Sequence, residues 1–189
     1  VDVELTVATF NVRNGLAPDG LLSWPFRRRS TAAALGLLDA DVVGLQEVFG
    51  FQRRHLLRHN PGYRAVGTPR GADGRGEACP ILARQPVTIV GTRTRWFGDR
   101  PEEAGHRLPD ASFPRIATWA TCEVAGSLFD VVNAHLDEHL PDNRARSTAQ
   151  IAAEADPERP TVVLGDLNAT LDETDTVAGL TDAGFTLVE

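Results

Sequence analysis

The chain contains only two cysteines, Cys79 and Cys122, and no methionine. Two thiols are too few for a disulfide framework or a zinc cluster. No apolar run approaches the roughly 18 residues that a membrane-spanning helix needs. The amino-terminal VDVELTVATFN has neither a basic leader nor a cleavable apolar stretch. With no methionine in the chain, the expectation is that the initiator residue has been removed or trimmed. The expected compartment is therefore the cytoplasm, with secretion after processing as the alternative. Basic residues are also short: 19 Lys and Arg against 26 Asp and Glu leave a net charge of −7. That balance excludes a blanket attraction to nucleic acid or to an anionic membrane, leaving room only for a local basic groove. No G-x-S-x-G occurs, which argues against a serine hydrolase. The glycines of 71–76 lack the G-K-[ST] ending of a P-loop and read as a flexible rim.

What is present is ordinary for one globular domain over residues 1–189. The hydrophobic fraction is 42% and the charged fraction 24%, enough to bury a substantial core. Val3–Val12 reads as a first strand. Trp24 to Asp39 reads as a helix whose first turn holds Arg27, Arg28 and Arg29. Cations there oppose the helix dipole, so these arginines are expected to face something acidic. Asp41–Gln46 is a short buried strand, followed by a helix over 50–59 that Pro61-Gly62 stops. Short β runs at Ile81–Ala83, Val87–Val90, Ile116–Val124 and Leu128–Val132 suggest antiparallel hairpins, with 99–110 as a long surface loop. A helix over Pro141–Glu154, a strand over 161–164 and a short helix near 175–183 complete the chain. Helices alternate with strands at both ends, around hairpins in the middle. The expected fold is an α/β sandwich, two mainly antiparallel sheets packed face to face with helices outside.

The strand ends carry the chemistry. The run Thr161–Leu164 stops at Gly165, and Asp166 and Asn168 follow with one apolar residue between them. On an extended backbone they would project to the same side. Asn11 and Glu47 end two other strands, and Asn133, His135 and Asp137 end a fourth. Taken singly, each has a plainer reading. Glu47 would cap the helix after it, Asn11 would sit in a turn, His135 would be a core histidine, and Asp166 and Asn168 would close a turn. Taken together, hard oxygen donors beside a histidine suit Mg²⁺-assisted phosphoester chemistry, with Mn²⁺ as a substitute ion.

Six stretches then resemble, in order, the motifs of the endonuclease/exonuclease/phosphatase superfamily. They are TFNVRNG (9–15), VVGLQEV (42–48), GRGEACPIL (74–82), FPRIATWA (113–120), VVNAHLDEH (131–139) and VVLGDLNA (162–169). The resemblance implies a four-layer α/β sandwich and a metal-dependent hydrolase of phosphoesters. By position it implies that Glu47 is the principal metal ligand with Asn11 beside it. It implies that Asp166 orients or deprotonates the attacking water and that Asn168 and His135 hold the phosphate. It implies that Glu77 is the carboxylate partner of His135, favouring the charged imidazole. Arg115 and Arg13 would be phosphate contacts, and Asn133 and Asp137 join the substrate-binding set.

Two departures accompany the resemblance. Ala83 or Arg84 stands where the family often has a tyrosine, and no Asp-His dipeptide occurs anywhere in the chain, which runs to Thr186-Leu187-Val188-Glu189. That family pair belongs to a final strand. The expectation is a domain missing that strand, with these 189 residues weakly active or inactive and the intact gene product active. The competing readings are a catalytically silent binding module on the same fold and a truncated nuclease fragment. The expected partner is a small phosphoester or single-stranded nucleic acid, engaged by a monomer.

Overall fold

The computed structural model describes residues 4–170 and 173–188. Along the chain run β1 (Val7–Asn11), α1 (Trp24–Leu37), β2 (Val42–Gln46), α2 (Gly50–His59), β3 (Arg64–Val66) and β4 (Ile81–Ala83). They are followed by β5 (Thr88–Trp96), β6 (Ile116–Val124), β7 (Ser127–His135), α3 (Pro141–Glu154), β8 (Thr161–Asp166) and α4 (Thr174–Thr181). A 3₁₀ turn over Gly20–Leu22 leads into α1.

The strands form two four-stranded sheets, ordered β1-β2-β4-β3 and β5-β6-β7-β8. Each sheet has one parallel pair, β1 with β2 and β7 with β8; the remaining pairs are antiparallel. Strands in a parallel pair finish at the same sheet edge. Because β1 packs against β8, and β2 against β7 and β8, the two parallel pairs stack and four carboxyl-terminal strand ends meet.

Three apolar clusters fix the order of the layers. Trp24, Leu35, Val43, Leu45, Leu56 and Leu82 fill the space between α1, α2 and the first sheet. Val42, Ile81, Ala120, Cys122, Phe129 and Val131 lie between the sheets. Trp119, Val132, Ala134, Leu136, Ile151 and Leu180 join the second sheet to α3 and α4. Neighbours such as Val42 and Val43 serve opposite faces, as the alternation of side chains along a strand requires. Strands covered on both faces read as unbroken apolar runs, which is why DVVGLQ and DVVNAH stand out in the sequence. The result is the expected four-layer sandwich.

Several elements differ from the sequence reading. The first described strand begins at Val7; Val3 lies outside the described residues. The short β3 escapes the reading because Arg64 interrupts its apolar pattern. Strand β4, expected in a hairpin, instead bridges β2 and β3 in the first sheet. Strand β5 continues through Arg93 and Arg95 to Trp96, because it is an edge strand whose alternate side chains meet solvent. The 71–76 glycines form a closed hairpin, with Pro69 bridged to Ala78 and Gly71 N–H donating to Arg75 O at 3.0 Å. The arginines of the first turn of α1 form no ion pair among the described residues: Arg27 donates to the carbonyls of Val12 (2.5 Å) and Arg13 (2.7 Å).

Asn133 belongs to this frame and not to the substrate-binding set. It is 0% exposed. Its Nδ2 donates to Leu45 O (2.8 Å) and Pro80 O (3.0 Å), and its Oδ1 accepts from Gln46 Nε2 (2.7 Å). An amide buried between two sheets must satisfy its polar atoms there, so none reaches the strand-end cavity. Gly44 makes the approach feasible, since a Cβ at that position would lie 2.7 Å from Asn133 Oδ1.

Candidate active site

At the shared edge, the amide of Asn11 joins two carboxylates. Its Nδ2 donates to Glu47 Oε1 at 2.8 Å and to Asp166 Oδ2 at 2.9 Å. Both amide hydrogens are thereby used, one on each sheet. Register explains the meeting: Asn11 pairs with Gln46, so Glu47 lies one residue past β2, while His135 pairs with Asp166 across β7 and β8. Glu47 and Asp166, distant in sequence, face one another across the sandwich.

The backbone is bent at these ends. Glu47 has φ 61° and Asn168 has φ 50°, in the left-handed region that residues with a Cβ seldom occupy. The turn at Glu47 lets Oε2 accept the backbone N–H of Asn14 at 2.5 Å. The turn at Asn168 brings its backbone N–H to Asp166 Oδ1 at 3.0 Å, while its Nδ2 donates to Leu136 O at 2.9 Å. Asp166 and Asn168 thus do not project side by side from an extended strand. Asp166 is the last residue of β8, and Asn168 curls back onto it.

Two hollows flank the carboxylates. One is a cavity of about 650 Å³ lined by Thr9, Asn11, Gln46, Asp166, Asn168 and Glu173, among others. The other is a narrow cleft lined by Glu47, Arg70, Glu77, Cys79, Arg115 and His135. Here the sequence expectation for Glu77 fails. Its carboxylate receives Arg70 at 2.8 Å and Asn14 Nδ2 at 2.6 Å, with no bond to His135. Burial raises the pKa of Glu77, and the charge of Arg70 opposes that rise. The imidazole of His135 is correspondingly not held charged. Burial, followed by the charge of Arg115, lowers its pKa to about 4, so it is neutral near pH 7. Arg115 is 7% exposed and makes no ion pair among the described residues. Its guanidinium lines the cleft beside His135.

Arg13 and Asp137 are occupied elsewhere. Arg13 is exposed and holds Asp19 through Nε and Nη2, both at 3.0 Å, so its guanidinium is paired with that carboxylate. Asp137 Oδ1 accepts the backbone N–H groups of His139 (2.9 Å) and Leu140 (3.1 Å), shaping the entry to α3. It faces a neighbouring hollow shared with Arg115 and Phe113. Sequence reasoning missed Asn14 and Arg70, which hold Glu47 and Glu77 in place. Asn14 stood in the TFNVRNG motif but beyond the strand end, and Arg70 preceded the glycines without any local signal.

Likeness to known proteins follows the same geometry. An Endonuclease/exonuclease/phosphatase from Bacteroides vulgatus is 32% identical, covering 94% of this chain and 71% of that one, with a TM-score of 0.86. The mannosyl-6-phosphatase of Bacteroides thetaiotaomicron is 26% identical over 95% of this chain and 71% of its own, with a TM-score of 0.87. Among curated proteins, the CCR4-Not complex 3'-5'-exoribonuclease subunit Ccr4 of Aspergillus niger is 29% identical over 169 residues, 74% of this chain. The match spans 25% of that relative, about a quarter of its length. The model of the Endonuclease/Exonuclease/phosphatase family matches residues 8–186. On that match the chain belongs to the Endonuclease/Exonuclease/phosphatase family.

Proposed function

We propose that this chain is a metal-dependent hydrolase of phosphoesters, with phosphodiesters as its bond class. One observation carries the reading: two carboxylates from different sheets, Glu47 and Asp166, are brought to a single amide at 2.8 and 2.9 Å beside an open cavity. Two like charges so placed favour a cation between them.

The donor set fits magnesium. Among the described residues no group of three or more His, Cys, Asp and Glu side chains is placed to cage a metal. Magnesium does not ask for a cage; it takes one or two carboxylates and keeps water and substrate phosphate oxygens for its other positions. Glu47 and Asp166 would hold it with Asn11 alongside, and manganese accepts the same oxygen donors. Such an ion supplies charge neutralisation at the phosphoryl oxygens.

The chain's own residues do the rest. A carboxylate oxygen of Asp166 orients water for attack and takes its proton. Asn168, with one amide N–H fixed on Leu136 O, has its second for a phosphate oxygen. Neutral His135 offers a ring N–H, and Arg115 a planar donor fork suited to phosphate. Glu77 acts at one remove, by holding Arg70 against the cleft. The relatives' names, a mannosyl-6-phosphatase and a 3'-5'-exoribonuclease subunit, support a reading in which the substrate is a small phosphoester or a single-stranded nucleic acid.

The test is hydrolysis of bis(p-nitrophenyl) phosphate by the chain and by its Asp166→Asn and Glu47→Gln forms, with magnesium binding followed by calorimetry. Weak metal-dependent turnover that Asp166→Asn abolishes, and heat of magnesium binding abolished by Glu47→Gln, are the expected results. Turnover indifferent to both substitutions, or no magnesium binding by the parent chain, overturns the reading.

A further inference from the structure

The helix layer outside the first sheet carries charge of one sign. Helices α1 and α2 contain Arg27, Arg28, Arg29, Arg53, Arg54 and Arg58, and neither contains an aspartate or a glutamate. The whole chain has a net charge of −7, so this face is set apart from the rest of the surface. Arg27 and Arg53 turn onto backbone carbonyls of Val12, Arg13 and Gly67. Arg28, Arg54 and Arg58 are exposed and form no ion pair among the described residues.

Those three arginines border a groove of about 330 Å³ between the helices, and Trp24, Phe51 and His55 complete its lining. Trp24 stands edge-on to Phe51 (6.3 Å between ring centres) and to His55 (5.6 Å). The Nε2 of His55 is buried without a hydrogen-bond partner among the described residues. Burial, then the neighbouring His59 and arginines, lowers the pKa of His55; the positive charge of the groove therefore belongs to the arginines. Guanidinium groups along the rim and aromatic rings beneath them match what an unpaired strand presents, phosphates outside and base faces within. A duplex hides its base faces, and a flat membrane surface does not enter a groove.

The position of the groove adds direction. It runs along α2 from Phe51 to Arg58, and Trp24 and Phe51 line it at the amino-terminal ends of the two helices. There Arg27 and Gln52 donate to carbonyls of the loop that follows β1, at Val12 and Arg13. The same loop carries Asn14, which holds Glu47 and Glu77. The amino-terminal end of the groove is thus joined, through residues beside it in sequence, to the loop that reaches the carboxylates. We infer that the groove between α1 and α2 is a docking track for single-stranded nucleic acid, holding the part of the strand away from the bond that is cut. This rests on the phosphodiester reading of the strand-end site and names its substrate class.

The experiment is fluorescence anisotropy of a labelled single-stranded oligoribonucleotide on the Asp166→Asn chain, across a series of salt concentrations. The same chain carrying Arg54→Gln with Arg58→Gln, or Phe51→Ala, is measured alongside. Both arginines are exposed, and circular dichroism with thermal melting verifies that each variant is folded. Loss of two phosphate contacts is expected to weaken binding about tenfold and to flatten the slope of log K against log salt by roughly 1.4. Phe51→Ala is expected to weaken binding of the oligonucleotide but not of inorganic polyphosphate, which has no base to stack. Three results overturn the inference: no binding by the parent, variants that bind as the parent does, or binding to phosphatidylserine-containing vesicles alone. The last would assign the face, with its exposed Leu21, Leu22 and Phe26, to a membrane surface. The two proposals fail separately. Arginine-dependent binding without turnover of bis(p-nitrophenyl) phosphate sinks only the hydrolase, and turnover without oligonucleotide binding sinks only the docking track.

Discussion

At the scale of single residues, the centre of this protein is an amide between two acids. Asn11 supplies a donor to each of Glu47 and Asp166, and its Oδ1 is held by the backbone N–H of Arg13 at 2.8 Å. Removing the amide leaves two carboxylates facing one another with their common donor gone. Asn11→Ala is expected to lower stability by about 1–3 kcal/mol in metal-free buffer, read from urea unfolding. Millimolar magnesium should return part of that loss, since an ion that binds only the folded state stabilises it. A variant as stable as the parent, with or without the ion, would show that the two charges do not press on each other. The pairing of Glu77 makes the complementary point. The resemblance makes Glu77 the carboxylate partner of His135, yet the cation it meets in space is Arg70. No sequence spacing encodes that preference, because Arg70 reaches Glu77 only through the hairpin over 69–78.

At the scale of elements, position was legible where apolar runs were long and unlegible where backbone geometry decided. Strands β4 and β6 and helices α2 and α3 fall where hydrophobic pattern and proline place them. The bend at Glu47 and the continuation of β8 through Gly165 did not show, because both depend on a neighbouring strand. Gly165 has φ 155°, and a Cβ there would lie 2.3 Å from Ala134 O. A backbone oxygen in a sheet cannot swing aside as a side chain can. Gly165→Ala is therefore expected to part β8 from β7, costing about 3 kcal/mol or more, and to move Asp166 off the amide of Asn11. Unfolding and hydrolysis measured together should both fall; a folded variant with full activity would contradict this account.

The entry to α3 gives a pH dependence. Burial disfavours the charged form of Asp137, but N–H donors from His139 and Leu140 outweigh it and hold the pKa below the usual carboxylate value. A carboxyl lowered in the folded state adds stability that is present above its unfolded pKa, near 4. That stability is lost as pH falls through the lower folded value. Asp137→Asn should accordingly shrink the difference in stability between pH 6 and pH 3, measured by urea titration at each pH. An unchanged difference would remove Asp137 from the acid limb.

At the scale of the whole molecule, the rarity of cysteine acquires a use. Both thiols are buried, Cys79 at the cleft and Cys122 between the sheets, and burial pushes Cys79 up to about 12 and Cys122 up to about 11. Thiolate is the reactive form, so neither should react with iodoacetamide at pH 8 in the native chain, and both should react in denaturant. Mass spectrometry after a timed pulse checks this. Fast native labelling of either thiol would mean that its layer opens.

What the sequence determined by itself was the alphabet of the protein. Apolar runs announce buried strands because both faces of each sheet are covered, and oxygen-bearing residues at their ends announce chemistry because a charged group beside a core must have a partner. It also carried six arginines on two helices lacking acids, of which the packing of α1 beside α2 brings Arg28, Arg54 and Arg58 around one groove. Only the tertiary structure decided which partner each group took. Asn133 went to the sheet interface, Arg13 to Asp19, Glu77 to Arg70, and Glu47 with Asp166 to one amide. The physical reason is that a hydrogen bond or an ion pair is chosen by distance and burial. Those are set by how two parallel strand pairs stack, which no local stretch of residues contains.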